Sequence, residues 1–219
     1  MRSLNTAYPK MWNLRLLSSA LVATVSLNAS AIGDQDAEYE TSRNARWHDD
    51  VVVLTLDPSM QALGDDAFDA LVGAVAAWQN VASDIPLLVV ERGTSAVPDD
   101  VNLHTIRYAP RGDPMANGAL AITIITYDND GQSIIDADIV VNGEHPFAIL
   151  GTPNAGGPDE QTAYDLQNVL THELGHLLGL DEERHNQDST MFESSAPCET
   201  DKRDLHAADI GELHRLYAR

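Results

Sequence analysis

The run His172-Glu173-Leu174-Gly175-His176 constrains this chain more than any other feature, because its chemistry requires a helix. On a helix, positions i and i+4 lie on one face a turn apart, so both imidazoles can reach a single ion. Zinc accepts imidazole nitrogen at about 2.0–2.1 Å and, in catalytic sites, keeps a position open for water. Glu173 projects beside the two histidines, where its carboxylate can take a proton from that water and pass it to a leaving amine. The same five residues also arise by chance on helices with two solvent-facing histidines, so their surroundings must decide.

Those surroundings are helical. Leu166, Val169, Leu170, Leu174 and Leu177 give residues 162–179 an apolar face, and Gly179 is a natural stop. Upstream, Val51 to Leu56 reads as a first strand. Asp65 and Asp66 then open an amphipathic helix carrying Phe68, Leu71, Val72, Val75, Ala76 and Trp78. Further strands are expected at 85–90, 101–108, 119–127 and 134–141, with a turn at Asp128-Asn129-Asp130-Gly131. A Gly- and Pro-rich loop covers 143–159, a polar irregular segment 181–202, and a last helix 207–217. The plan is one α+β domain over residues 47–219.

Beyond the helix motif the chain continues Leu177-Leu178-Gly179-Leu180, and Thr190-Met191-Phe192 follows downstream. This resembles the metzincin clan, and within it the matrixin-like peptidases, whose extended motif is HExxHxxGxxH followed by a methionine-containing turn. The stretches 136–142, 164–169 and 209–217 are also similar. The resemblance implies a twisted mixed five-stranded sheet with a backing helix, an active-site helix and a C-terminal helix. It implies that Gly179 permits the bend returning a third ligand to zinc, and that Met191 lies in the turn beneath the metal. It further implies that the strand entered through Gly118, Ala119, Leu120 and Ala121 is an edge that pairs with an extended substrate; an ordinary interior strand is the alternative.

The sequence departs from that pattern at the third ligand. Glu182 stands where a histidine is expected; His185 has the usual ligand type but needs three extra residues in the turn, and Asp181 is one residue short. Residues 32–50 contain no cysteine, so latency by a propeptide thiolate is absent, and control must come from elsewhere. Cys198 is the lone cysteine, which leaves no internal disulfide. Asp128-Asn129-Asp130-Gly131 offers oxygens for calcium, but it lacks the distal Glu of an EF-hand, so a plain hairpin turn is the preferred reading. His48, His104, His145, His206 and His214 share no ligand spacing, and only His145 lies where it could shape a cleft.

The N-terminus reads as an export signal of residues 1–31. Arg2, Lys10 and Arg15 precede an apolar run from Leu16 to Leu27, and Ala29-Ser30-Ala31 is a small-x-small cleavage site. The run is too short to span a bilayer, so no stable membrane anchor is expected. Residues 32–46 read as a flexible lead-in. Cleavage would leave 10 basic against 34 acidic side chains. That surface repels phosphate backbones and excludes nucleic acid as a natural partner.

Together these features point to a secreted or periplasmic, monomeric zinc endopeptidase acting on proteins or peptides. A zinc-binding pseudopeptidase serving as an interaction module is the alternative, against which Glu173 argues. A thermolysin-like arrangement would need Glu193 or Glu199 on a later helix, and neither has a helical setting.

Overall fold

The computed structural model describes residues 21–29, 44–94, 104–151 and 161–218. Five strands form the expected mixed sheet: β2 (Val51–Leu56), β3 (Leu87–Arg92), β4 (His104–Ala109), β5 (Ala121–Tyr127) and β6 (Ile134–Asn142). β2 lies parallel between β3 and β4, β4 runs parallel to β6, and β5 returns antiparallel along β6. The sheet order is therefore β3-β2-β4-β6-β5, and β5 ends the set of five.

The boundaries shift by a few residues from expectation. The strand expected at 85–90 runs 87–92. That expected at 101–108 is described from His104 onward, its first three residues lying outside the described part. Gly118 to Leu120 form the approach to β5 and lie outside the strand itself.

The larger departure is at the N-terminus. Residues Leu21–Ala29 form a strand, β1, that lies antiparallel along β5 from Leu21↔Tyr127 to Leu27↔Ala121. Its far end pairs in parallel with β9 (Ser194–Ser195) through Asn28↔Ser194 and Ala29↔Ser195. The edge of β5 expected to be open is thus taken by the chain's own segment. Arg2, Lys10, Arg15, Ser30, Ala31 and residues 32–43 lie outside the described part. Arg46 N–H donates to the Gln132 carbonyl, and its guanidinium donates to the Leu216 carbonyl at 2.7 Å.

Helix α1 (Ala67–Gln79) backs the sheet and packs on α2 (Leu166–Leu177) through Leu71, Ala74, Val75 and Trp78. α2 begins later than residue 162 because Tyr164–Asp165 are extended, as the short strand β8 beside β7 (Phe147–Ala148). Asp165 caps the helix, accepting from Asn168 N–H at 2.8 Å, and its buried carboxylate is paired with Arg203. α2 is buried over nearly its whole length. Its carbonyls find donors in the surrounding elements: Trp78 Nε1 donates to Thr171 at 2.8 Å and Trp47 Nε1 to Leu177 at 2.7 Å. Just beyond the helix, Tyr217 Oη donates to Leu178 at 2.9 Å. Tyr217 belongs to α3 (Ala207–Tyr217), which lies where the sequence placed it.

Among the described residues, no helix is long and apolar enough to cross a membrane.

Candidate metal centre and active site

His172 and His176 are fully buried on α2, and their Nε2 atoms face each other at 2.9 Å. Each ring is fixed from behind by a carbonyl: His172 Nδ1 lies 2.8 Å from Thr190 O, and His176 Nδ1 lies 2.9 Å from Leu180 O. A carbonyl only accepts, so both Nδ1 atoms carry the proton and both Nε2 atoms of the neutral rings present lone pairs. Two facing lone pairs repel unless a cation lies between them.

Glu182 completes the group. Its Oε1 is 3.3 Å from His176 Nε2 and 3.6 Å from His172 Nε2. Both carboxylate oxygens are buried without a hydrogen-bond partner, a costly condition unless a cation balances them. Bonds of 2.0–2.1 Å in a tetrahedral arrangement place neighbouring donors about 3.3 Å apart. The three observed separations bracket that value, so the residues fit a zinc ion. Asp181 and His185 are exposed and stand outside the group. Among the described residues, His172, His176 and Glu182 are the one set of three side chains gathered for a metal.

The loop that delivers Glu182 depends on Gly179, whose φ is +98°. A Cβ there would meet the Ala45 carbonyl at 2.4 Å. This left-handed turn reverses the chain, and Leu180 N–H closes it by donating to the Gly175 carbonyl at 3.0 Å. Met191, buried at 2% exposure, packs beneath the helix motif. A Cβ on Gly175 would come within 2.2 Å of Met191 Sδ, which explains glycine inside the motif.

Glu173 is buried beside the histidines, with both oxygens engaged. Thr123 Oγ1, from β5, donates to Oε2 at 2.5 Å, and Leu27 N–H, from β1, donates to Oε1 at 3.3 Å. Burial pushes its carboxyl above the ordinary range, and the Thr123 hydroxyl offsets only part of that rise.

Several positioning residues gave no sequence signal. Thr123 read only as one face of a strand. Asp209, buried on α3, accepts from Ser189 Oγ at 2.5 Å and Thr190 N–H at 2.8 Å, fixing the segment whose Thr190 carbonyl orients His172. The stretch beginning at Asp209 carried a family likeness without a reason, and this contact supplies one. His145 Nε2 lies 2.8 Å from the Gly118 carbonyl, bracing the approach to β5.

The calcium expectation finds no support. Asp128 Oδ1 accepts from Gln132 N–H at 3.0 Å and Ser133 N–H at 3.1 Å, so it closes its own hairpin turn.

A buried pair of lone-pair-bearing imidazoles, a partnerless carboxylate and an adjacent acid define the metallopeptidase class. The sequence profile of the matrixins matches residues 13–218, and the chain belongs to that peptidase family. No curated protein matches the chain. Matrixins are zinc enzymes that act on peptides or proteins.

Proposed function

We propose that this matrixin is an exported zinc endopeptidase, with His172, His176 and Glu182 as metal ligands and Glu173 as general base. The convergence of two Nε2 lone pairs on a buried carboxylate with no donor carries this reading. When bound there, zinc supplies Lewis-acid polarisation of a carbonyl and a lowered pKa for water. Glu173 takes the proton from the attacking water and returns it to the amide nitrogen as that bond breaks. Thr123 aims the carboxylate, and the Thr190 and Leu180 carbonyls hold both imidazoles in the metal-binding tautomer. An extended peptide is held by backbone groups of β5 on one side and of Ser194–Ser195 on the other. Export is supported by Arg2, Lys10 and Arg15 ahead of the apolar run and by Ala29-Ser30-Ala31.

The test is degradation of an unfolded protein such as casein by zinc-loaded protein. A chelator should stop it, and Glu173→Gln should slow it about 10²–10⁴-fold. Zinc bound one to one without any hydrolysis would instead make the protein an interaction module.

A further inference from the structure

Among the described residues, the two-residue strand Ser194–Ser195 pairs with β1 and with no other strand. Residues 21–29 belong to the export segment, so in the exported protein this wall of the groove has no sheet partner until a peptide enters. Conformational entropy would disperse so short an unpaired strand unless side chains fixed it. Asn168 does so. It lies on α2 one turn ahead of His172 and is fully buried. Its Nδ2 donates to Ser195 Oγ at 2.9 Å, and its Oδ1 accepts from Lys202 N–H at 2.8 Å. A backbone N–H only donates, so the carboxamide has one orientation, with its nitrogen on the serine. Both ends of the segment 195–202 thus meet on a single side chain of the helix that carries the histidines. Between those ends the segment closes on itself. Ala196 N–H donates to Glu199 Oε2 at 2.8 Å, and the buried Lys202 Nζ pairs with Glu199 Oε1 at 3.3 Å. Arg203 Nε then ties the exit to Asp165, the cap of the same helix, at 2.7 Å.

Resting on the peptidase reading above, we infer that Asn168 is the positioning residue that holds Ser194–Ser195 ready for the part of a peptide C-terminal to the cut bond. A chain on the course of β1 passes Glu173 at residue 27 and meets the wall at residues 28 and 29. The wall therefore serves the product that leaves with the new amine. Asn168 stands apart from the reacting atoms and acts through Ser195. A wall already in place spares the incoming peptide the cost of ordering it, so the gain falls on binding and leaves the chemical step alone.

The test uses zinc-loaded protein recovered after export, with its N-terminus read by sequencing. Mass spectrometry of casein fragments supplies a cut sequence, from which two peptides are made. One ends at the residue after the cut bond, and the other runs a few residues further, far enough to reach the wall. Asn168→Leu keeps the volume and removes both hydrogen bonds; Ser195→Ala removes only the wall's share, should the first variant fail to fold. On the longer peptide, KM should rise about tenfold in Asn168→Leu and about threefold in Ser195→Ala. The kcat and the bound zinc should stay within about twofold of wild type, and the short peptide should show no change. Ser195→Thr keeps the hydroxyl and should restore KM, and Ser195→Ala should add nothing once Asn168→Leu is present. An unchanged KM in Ser195→Ala, or a loss that falls equally on both peptides or on zinc content, overturns the inference while the peptidase stands. Absence of hydrolysis by zinc-replete wild type overturns the two readings together. Hydrogen exchange gives a readout without turnover. Amides of residues 194–199 in peptide-free protein should exchange about tenfold faster in Asn168→Leu, and equal rates would overturn the inference.

Discussion

Thr123 Oγ1 donates to Glu173 Oε2 at 2.5 Å, so a hydroxyl on the last strand of the five-stranded set holds the acid of the buried helix in place. The same hydroxyl lies 3.2 Å from the Glu173 carbonyl, tying the side chain to its own backbone. A hydrogen bond to a charged group contributes about 1.5–3 kcal/mol. Thr123→Val should therefore lower kcat by about 10- to 100-fold, with KM and zinc content little changed. Steady-state kinetics beside metal analysis checks this, and a loss of zinc instead would make Thr123 a structural residue.

Glu182→Ala should abolish stoichiometric zinc, whereas His185→Ala should leave it intact, as measured on dialysed protein. Glu182→His would replace the carboxylate by a neutral donor. The metal then keeps more of its positive charge and acidifies water further. The acid limb of the pH–rate profile should move to lower pH in that variant.

Asp209→Ala removes the acceptor that fixes Ser189 and Thr190 behind His172. Outer groups of this kind typically change metal affinity 10- to 100-fold. Competition against a chelating dye should show a drop of about that size, and Asp209→Asn should recover part of it.

Asp138 offers a test of pH-dependent stability away from the metal. Burial, reinforced by Asp136, pushes its carboxyl up to about 6, while Thr105 N–H donates to it at 2.8 Å. An unfolded aspartate titrates near 3.9. Between these values the unfolded chain loses its proton first. The contribution of Asp138 to stability is therefore full below about 4 and falls as pH rises through 6. The loss is on the order of 1–3 kcal/mol. Asp138→Asn keeps an acceptor for Thr105. Denaturant midpoints should match wild type near pH 4 and exceed it at pH 8.

Gly179→Ala would place a side chain at a φ of +98° against the Ala45 carbonyl. The backbone conformation alone costs about 1–2 kcal/mol. Thermal unfolding should show a Tm several degrees lower, and zinc affinity should fall with it, because the same turn delivers Glu182.

Much of this architecture was legible because period and punctuation carry it. The leucines of α2, Gly179, and the strand–turn–strand at 121–142 fixed their elements to within a few residues. Glu182 was legible as one of three choices; what separates it from His185 is the turn closed by Leu180 on Gly175, a backbone geometry with no residue signature. Thr123 and Asp209 were invisible for a different reason. Each acts across a packing interface from an element far away in the chain, and a threonine on a strand or an acid in the first turn of a helix is ordinary by local rules. Leu21–Ala29 was the hardest case. A dozen apolar and small residues behind basic ones satisfy an export pattern, yet their β-branched content also suits a strand once β5 offers an unpaired edge.

A groove that pairs with an extended chain first through β5 and then through Ser194–Ser195 sets a demand on whatever enters it. Residues 21–27 give one backbone edge to β5, and the pairing passes to Ser194–Ser195 only at residues 28–29, so a visitor in the same place must free one edge for about 20 Å or more of its length. A well-folded domain, whose strands are mutually engaged, cannot meet that demand without coming apart. Linkers, tails and denatured chains can, so the conformational freedom of a target will govern its rate of turnover more strongly than its side chains do.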